Sequence, residues 1–361
     1  MISPSFTTLL LLPDSEKEAA LMNRERSLRG VIVYVSLAVL ILVGFFLSVG
    51  IGNVHIGFAE VLRAITGGAC DEKTRAIIMD IRLPRVIMTV ILGGGLATSG
   101  FLLQTYFSNP IAGPYILGIS SGAKMMVALT LIFVVGSTGR TSSILLILAA
   151  FAGAILTTGF IIIISKAVRN MMVLLAAGIM VGYICSAVTD FLIAFADDSD
   201  IVNLHGWSQG SFSGIDMGSV KYAFVLVAVT FLLVMLLSKS LDAFRLGESY
   251  ARSVGVNVRV TRSEVILLSS ILSACVTAFV GPVSFIGIAV PFLMREILKT
   301  SKPIVLLPAT FMAGSVFCMM SDLLARTLFA PTELNISAVT SLFGAPIVIF
   351  MIIRRNSGNE A

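Results

Sequence analysis

Apolar runs of about twenty residues recur along the chain, separated by short stretches rich in Gly, Pro and charge. "VIVYVSLAVLILVGFFLSVG" (31–50) and "SILLILAAFAGAILTTGFIIII" (143–164) carry no charged side chain. About twenty apolar residues cross the hydrocarbon core as a helix, and a helix satisfies each of its backbone groups inside lipid. The pattern predicts ten spans, near 31–50, 86–106, 115–135, 143–165, 171–195, 218–238, 263–281, 285–299, 303–321 and 336–353. A β-barrel would show weaker segments alternating with a period of two. The expected fold is all-α: a polytopic membrane protein of about ten transmembrane helices. Its longest loop, 51–85, holds an amphipathic helix over "FAEVLRAIT".

Composition agrees. The 361 residues are 57% hydrophobic and 12% charged, with a mean hydropathy of +1.00, whereas a soluble domain is about a quarter charged. Cys70, Cys185, Cys275 and Cys318 are far apart and match no metal or redox spacing. His55 and His205 have no ligand-spaced partner. No metal site, catalytic cluster or nucleic-acid surface is expected. "FTTLLLLP" near the start is too short for a signal sequence, so the first span reads as an uncleaved anchor. The chain divides into an N-terminal extension (1–29), a ten-helix domain (30–355) and a short tail (356–361).

Lys and Arg set the orientation. With the N-terminus in the cytoplasm, sixteen fall in inside segments and seven outside: Arg63, Lys73, Arg75, Arg82, Arg85, Arg140 and Arg326. That bias places both termini, and the polar island "LDAFRLGESYARSVGVNVRVTR" (241–262), in the cytoplasm. "AFRLGESYARSVG" reads as a short helix stopped by Gly255, with Leu246, Tyr250, Ala251 and Val254 on one face. That face packs either on the chain's own helices or on a partner. No segment resembles an energy-transducing domain, so energy comes from an ion gradient or from a partner.

Two stretches interrupt apolar sequence with helix breakers: "SNPIAGPYILGISSGA" (108–123) and "GPVSFIGIAVPF" (281–292). Proline removes a backbone donor and clashes with the preceding turn, so neither is one continuous helix. Each is either a tight turn or part of a pathway or gate, since broken backbone at membrane depth is tolerated where it lines a cavity. Asn109, Pro110, Ile111, Ser120 and Ser121 are the candidate pathway residues of the first. The shared order of breakers would suit an inverted repeat. Asp190, Lys124 and Glu264 sit near span ends, where they reach an interface by snorkelling. No mid-membrane carboxylate stands out, which argues against ion coupling. Arg82, Arg85 and Arg326, against the positive-inside tendency, either pair with a nearby acid such as Asp80 or Asp322 or dock an acidic partner through bidentate carboxylate pairs.

"RLPRVIMTVILGGGLATSGFLLQTYFSNPIAGPYILGISSGA" resembles the signature of the FecCD family, membrane permeases of ABC importers for iron–siderophores, haem and cobalamin. Four further matches follow in order: "WSQGSFSG" (207–214), "LGESYARSVGVNV" (246–258), "GPVSFIGIAVPFLMR" (281–295) and the stretch 322–355. The resemblance implies the type II importer architecture of ten helices, working as a homodimer or paired heterodimer. It also implies two cytoplasmic ATPase subunits that carry the ATP and its Mg, with no cofactor on this chain, and an extracytoplasmic binding protein. Arg82, Arg85 and Arg326 match positions that receive carboxylates from that protein. Leu246, Gly247, Glu248, Ala251 and Gly255 fall in the paired coupling helices that seat on the ATPase, and Asn109 and Ile111 lie near the cytoplasmic gate. An iron chelate, a ferric siderophore first, is the implied cargo, and the chain is not itself an enzyme. The sequence departs from the family pattern at Gly113, where an acid is usual, at Phe292, where His is frequent, and within "WSQGSFSG".

Overall fold

The computed structural model describes residues 14–52, 54, 56–135, 142–168 and 170–357. His55, Arg140, the first thirteen residues and the tail from 358 lie outside the described residues. Fourteen helices follow one another among the described residues, with no strand. The first, α1 (Asp14–Gly50), begins inside the stretch read as an extension, and its apolar part is Leu28–Gly50. Next come α2 (Phe58–Thr66), the long α3 (Glu72–Phe107), α4 (Ile119–Val135), α5 (Ser143–Ala167) and α6 (Met171–Ile193). The remainder are α7 (Asp198–Gln209), α8 (Met217–Leu236), α9 (Ser238–Arg245), α10 (Glu248–Ser253), α11 (Val258–Val280), α12 (Ile286–Leu298), α13 (Pro303–Thr327) and α14 (Ile336–Ser357).

Each of the ten expected spans coincides with a helix. Eight are long and apolar enough to cross a membrane, while α4 and α12 are short because each begins after a broken stretch. Polar side chains mark several starts. Asn170 caps α6 by accepting from Met172 N–H at 2.9 Å, Asp216 caps α8 through Gly218 N–H at 2.9 Å, and Asn257 caps α11 through Val260 N–H at 3.3 Å. The loop expected over 51–85 is partly helix. Its charged stretch from Glu72 forms the first turns of α3, capped by Asp71. A π-helical turn over Ile77–Arg82 precedes Pro84, which has no N–H to continue an α-helical ladder.

Helix α3 is the buried axis of the bundle. Small residues let its neighbours approach. Gly93 lies against Gly314 and Cys318 of α13, and Gly100 against the backbone of Gly287 in α12. In lipid, where apolar attraction between helices is weak, such close packing and buried hydrogen bonds supply cohesion. The Ser99 and Ser269 hydroxyls, 2.8 Å apart, join α3 to α11 in this way. Helix α6, by contrast, exposes most of its apolar surface.

Candidate functional site

At one end of α3 the three outlying arginines converge, and all three are buried, at 6, 8 and 7% exposure for Arg82, Arg85 and Arg326. A helix ends with four carbonyls that have no partner inside the helix and with the negative pole of its dipole. Arginines cover that end of α1. Arg82 donates to the carbonyls of Val49 at 2.7 Å, Gly50 at 2.9 Å and Val54 at 2.5 Å. Arg326 donates to Ser48 and, at 2.9 Å, to Ile51. Arg85 instead takes two carboxylates: Asp322 of α13 at 2.9 Å and Glu333, in the segment before α14, at 3.0 Å. Asp322 also stands 3.7 Å from Arg326. Of the two acids considered from sequence, Asp322 is the partner and Asp80 stays exposed. Glu333 was not anticipated, although it stands only seven residues beyond Arg326.

The segment that carries Glu333 leads inward. The Asn335 amide donates to Gln209 Oε1 at 3.0 Å, and the Ser337 hydroxyl donates to the Pro282 carbonyl at 2.5 Å. Pro282 opens the second broken stretch, which lies beside the first inside the bundle. Gly113, Pro114 and Tyr115 from one, with Val283, Phe285 and Ile288 from the other, line a cavity of about 190 Å³. Phe285 holds a left-handed backbone (φ 62°), uncommon for a bulky residue, and Gly344 of α14 leaves room for its side chain. The head of α4 is equally tight: Gly118, at φ 73°, abuts Gly178 and Gly182 of α6. Gln104, another residue not singled out from sequence, ties α3 to the first turn of α12 by donating to Ile288 O at 3.0 Å.

The pathway candidates fall in two places. Asn109 Oδ1 accepts from Ile111 N–H at 3.0 Å in a local turn after α3, with Ile111 exposed and Pro110 bordering a larger cavity. Ser120 is buried at the head of α4, 3.4 Å from the Thr277 hydroxyl of α11, and Ser121 beside it is half-buried. Of the charges near span ends, Asp190 is exposed, and Lys124 and Glu264 are half-buried.

At the opposite end of α3 lies the polar island. It forms two short helices, the pair that the family resemblance implies, and "AFRLGESYARSVG" is divided between them because Gly247 breaks the chain at φ 108° between α9 and α10. Of "VNVRVTR", Asn257 caps α11 and Val258–Arg262 form its start. Ala251 is fully buried, but Leu246, Tyr250 and Val254 are 59, 46 and 53% exposed. These three therefore do not pack on the chain's own helices. Glu248 and Arg252 pair at 2.7 Å on α10, and Glu248 stands 3.9 Å from Arg262. Arg262 is buried and donates to the carbonyls of Ser165 and Val168, both at 2.8 Å, which fixes the hairpin to the turn after α5.

Two interrupted segments thus meet inside the bundle, between a charged knot and an exposed hairpin. Residues 40–354 match the FecCD transport family along that whole frame. The chain belongs to the FecCD transport family. It is 32% identical to the hemin transport system permease protein HmuU of Yersinia pestis, over 87% of this chain and 96% of that protein. It is 30% identical to the vitamin B12 import system permease protein BtuC of Salmonella typhi, over 92% and 98% of the two. A solved structure described as an ABC transporter of the metal-chelate type, in an inward-facing conformation, superposes with a TM-score of 0.79 at 27% identity, covering 90% of this chain and 99% of that one. The protein is thus a multi-pass FecCD permease of an ABC importer.

Proposed function

We propose that this chain is the transmembrane permease through which an importer in the cytoplasmic membrane carries a bulky metal chelate, a ferric siderophore, with ATP hydrolysed on partner subunits. The observation that carries this reading is the order of three parts along one bundle: the knot at Arg82, Arg85 and Arg326, the meeting of the two broken stretches, and the hairpin with exposed Leu246, Tyr250 and Val254. Both termini and the hairpin lie inside. An ATPase pair seats on the hairpin, a binding protein docks over the knot, and a second permease subunit faces the exposed apolar surface of α6, including Met180, Tyr183, Ile184 and Phe191. Since the three arginines are already engaged, a docking carboxylate reaches Arg85 by replacing the half-exposed Glu333.

Two relatives, the hemin transport permease of Yersinia pestis and the vitamin B12 import permease of Salmonella typhi, favour a second reading, haem or cobalamin as cargo. Reconstitution of the permease with its ATPase and binding protein in liposomes separates the two. ATP-dependent uptake of a ferric siderophore, undiminished by excess haem or cobalamin, is the expected result. Uptake of haem or cobalamin alone would replace the cargo, and uptake without ATP would overturn the importer mechanism.

A further inference from the structure

A cavity of about 710 Å³ opens at the hairpin end, between the C-terminal turns of α3, α12 and α14. Arg245, Arg295, Lys299 and Arg354 line it together with a single carboxylate, Glu296. Lys299 and Arg354 both spend their charge on Glu296, at 2.9 and 2.7 Å, and Arg245 pairs outside the lining with Asp242 at 3.3 Å. Arg295 is left with no acid within 4.0 Å among the described residues. Its guanidinium donates once, to the Thr105 hydroxyl at 3.2 Å, and lies 5.2 Å from the Phe101 ring centre. A planar guanidinium half-buried in a concave wall, with donors left over after one hydroxyl and a ring, has room for a further anionic partner. Counting each acid once, two positive charges stay uncompensated around the cavity.

We infer that this cavity binds a phosphate-bearing anion, the headgroup of an acidic phospholipid. Arg295 would take two phosphate oxygens as a fork, with Lys299 and Arg354 at the rim and the hydroxyls of Thr300 and Ser301 beside them. The location fits a lipid better than a protein face. The site is concave and lies at helix ends where headgroups sit. Basic pockets between transmembrane helices on the cytoplasmic side are sites of this kind. The leaflet, though not the chemistry, rests on the orientation proposed above.

The test uses the assembled importer, purified and delipidated in detergent, with thermal stability and lipid retention as readouts. Phosphatidylglycerol is expected to raise the unfolding midpoint and stay bound at native-mass-spectrometry dilution, whereas phosphatidylcholine is not. Each cation removed should weaken retention roughly fivefold. Arg295→Gln should therefore lose most of the response, and Lys299→Ala with Arg354→Ala the rest. The rim pair is exposed and decides the matter if Arg295→Gln fails to fold. Protection by millimolar inorganic phosphate equal to that by phosphatidylglycerol would keep the site but assign it to the free anion. Equal responses to the two lipids, or variants that respond as the parent does, would overturn the inference. So would binding seen in the isolated permease but blocked in the complex, which would give the surface to the ATPase. None of these outcomes depends on the transported cargo.

Discussion

Arg85 and Asp322, 237 residues apart in sequence, meet side-on inside the bundle. The Nε and terminal nitrogen of Arg85 lie 3.1 and 2.9 Å from the Asp322 carboxylate, and the two side chains are only 10 and 3% exposed. Removing one member of such a pair strands the other, at a cost on the order of 3–5 kcal/mol. Asp322→Asn should lower the unfolding midpoint in detergent by that scale, because Arg326 also loses its nearest acid. Replacing both partners with apolar residues, Arg85→Met with Asp322→Leu, should recover part of the loss. A single variant as stable as the parent would show that the knot is not structural.

Glu333 holds the same guanidinium from the outside, and its side chain is 42% exposed. Pairs of this kind contribute about 0–1 kcal/mol, so Glu333→Gln should leave stability nearly unchanged. Its effect belongs to docking. With the internal carboxylate gone, affinity for the loaded binding protein should rise several-fold, while Arg85→Glu should abolish binding. Surface plasmon resonance with both variants checks this, and an unchanged affinity in each would sink the docking role of Arg85.

Much of this frame was legible from sequence, and the reason is physical. Span length is dictated by the bilayer, so all ten apolar ranges reappear as helices, and the helix over 58–66 follows from its own pattern. The knot was legible only as a question. Arg82 and Arg326 satisfy backbone carbonyls at residues 48–54, and a carbonyl leaves no mark in residue type. The meeting of the two broken stretches joins segments about 170 residues apart, and proline and glycine announce each break without saying what it faces. In the hairpin, helical spacing grouped Ala251 with Leu246, Tyr250 and Val254, but the break at Gly247 sets Leu246 apart on α9's side, and of the four only Ala251 is buried.

Close approach at the centre gives a graded test. A Cβ on Gly100 would fall on the Gly287 carbonyl, backbone that cannot swing aside. Gly100→Ala should therefore force α3 from α12, costing roughly 1–3 kcal/mol and stopping transport by displacing the second broken stretch. At Gly95, five residues earlier on the same helix, a Cβ would meet nothing nearer than 3.5 Å, so Gly95→Ala should leave folding and transport intact. Uptake and thermal unfolding of the two variants, compared side by side, would separate crowding at this contact from a general intolerance of α3 to added volume.

The hairpin separates contact from transmission. Leu246, Tyr250 and Val254 are exposed, so serine at all three should change stability by no more than about 0.5 kcal/mol each yet weaken ATPase association. Arg262 touches no such surface. It is buried, and its two 2.8 Å hydrogen bonds to Ser165 and Val168 tie the hairpin to the turn that leads into α6. Arg262→Gln, which can replace only part of that fork, should cost about 1–3 kcal/mol while leaving the ATPase bound. Its signature should be uncoupling: ATP hydrolysis in the reconstituted complex persists, but less cargo moves per ATP. If Arg262→Gln instead releases the ATPase, or keeps full transport per ATP, Arg262 is not the strut. The serine variant would then mark the whole of the coupling surface.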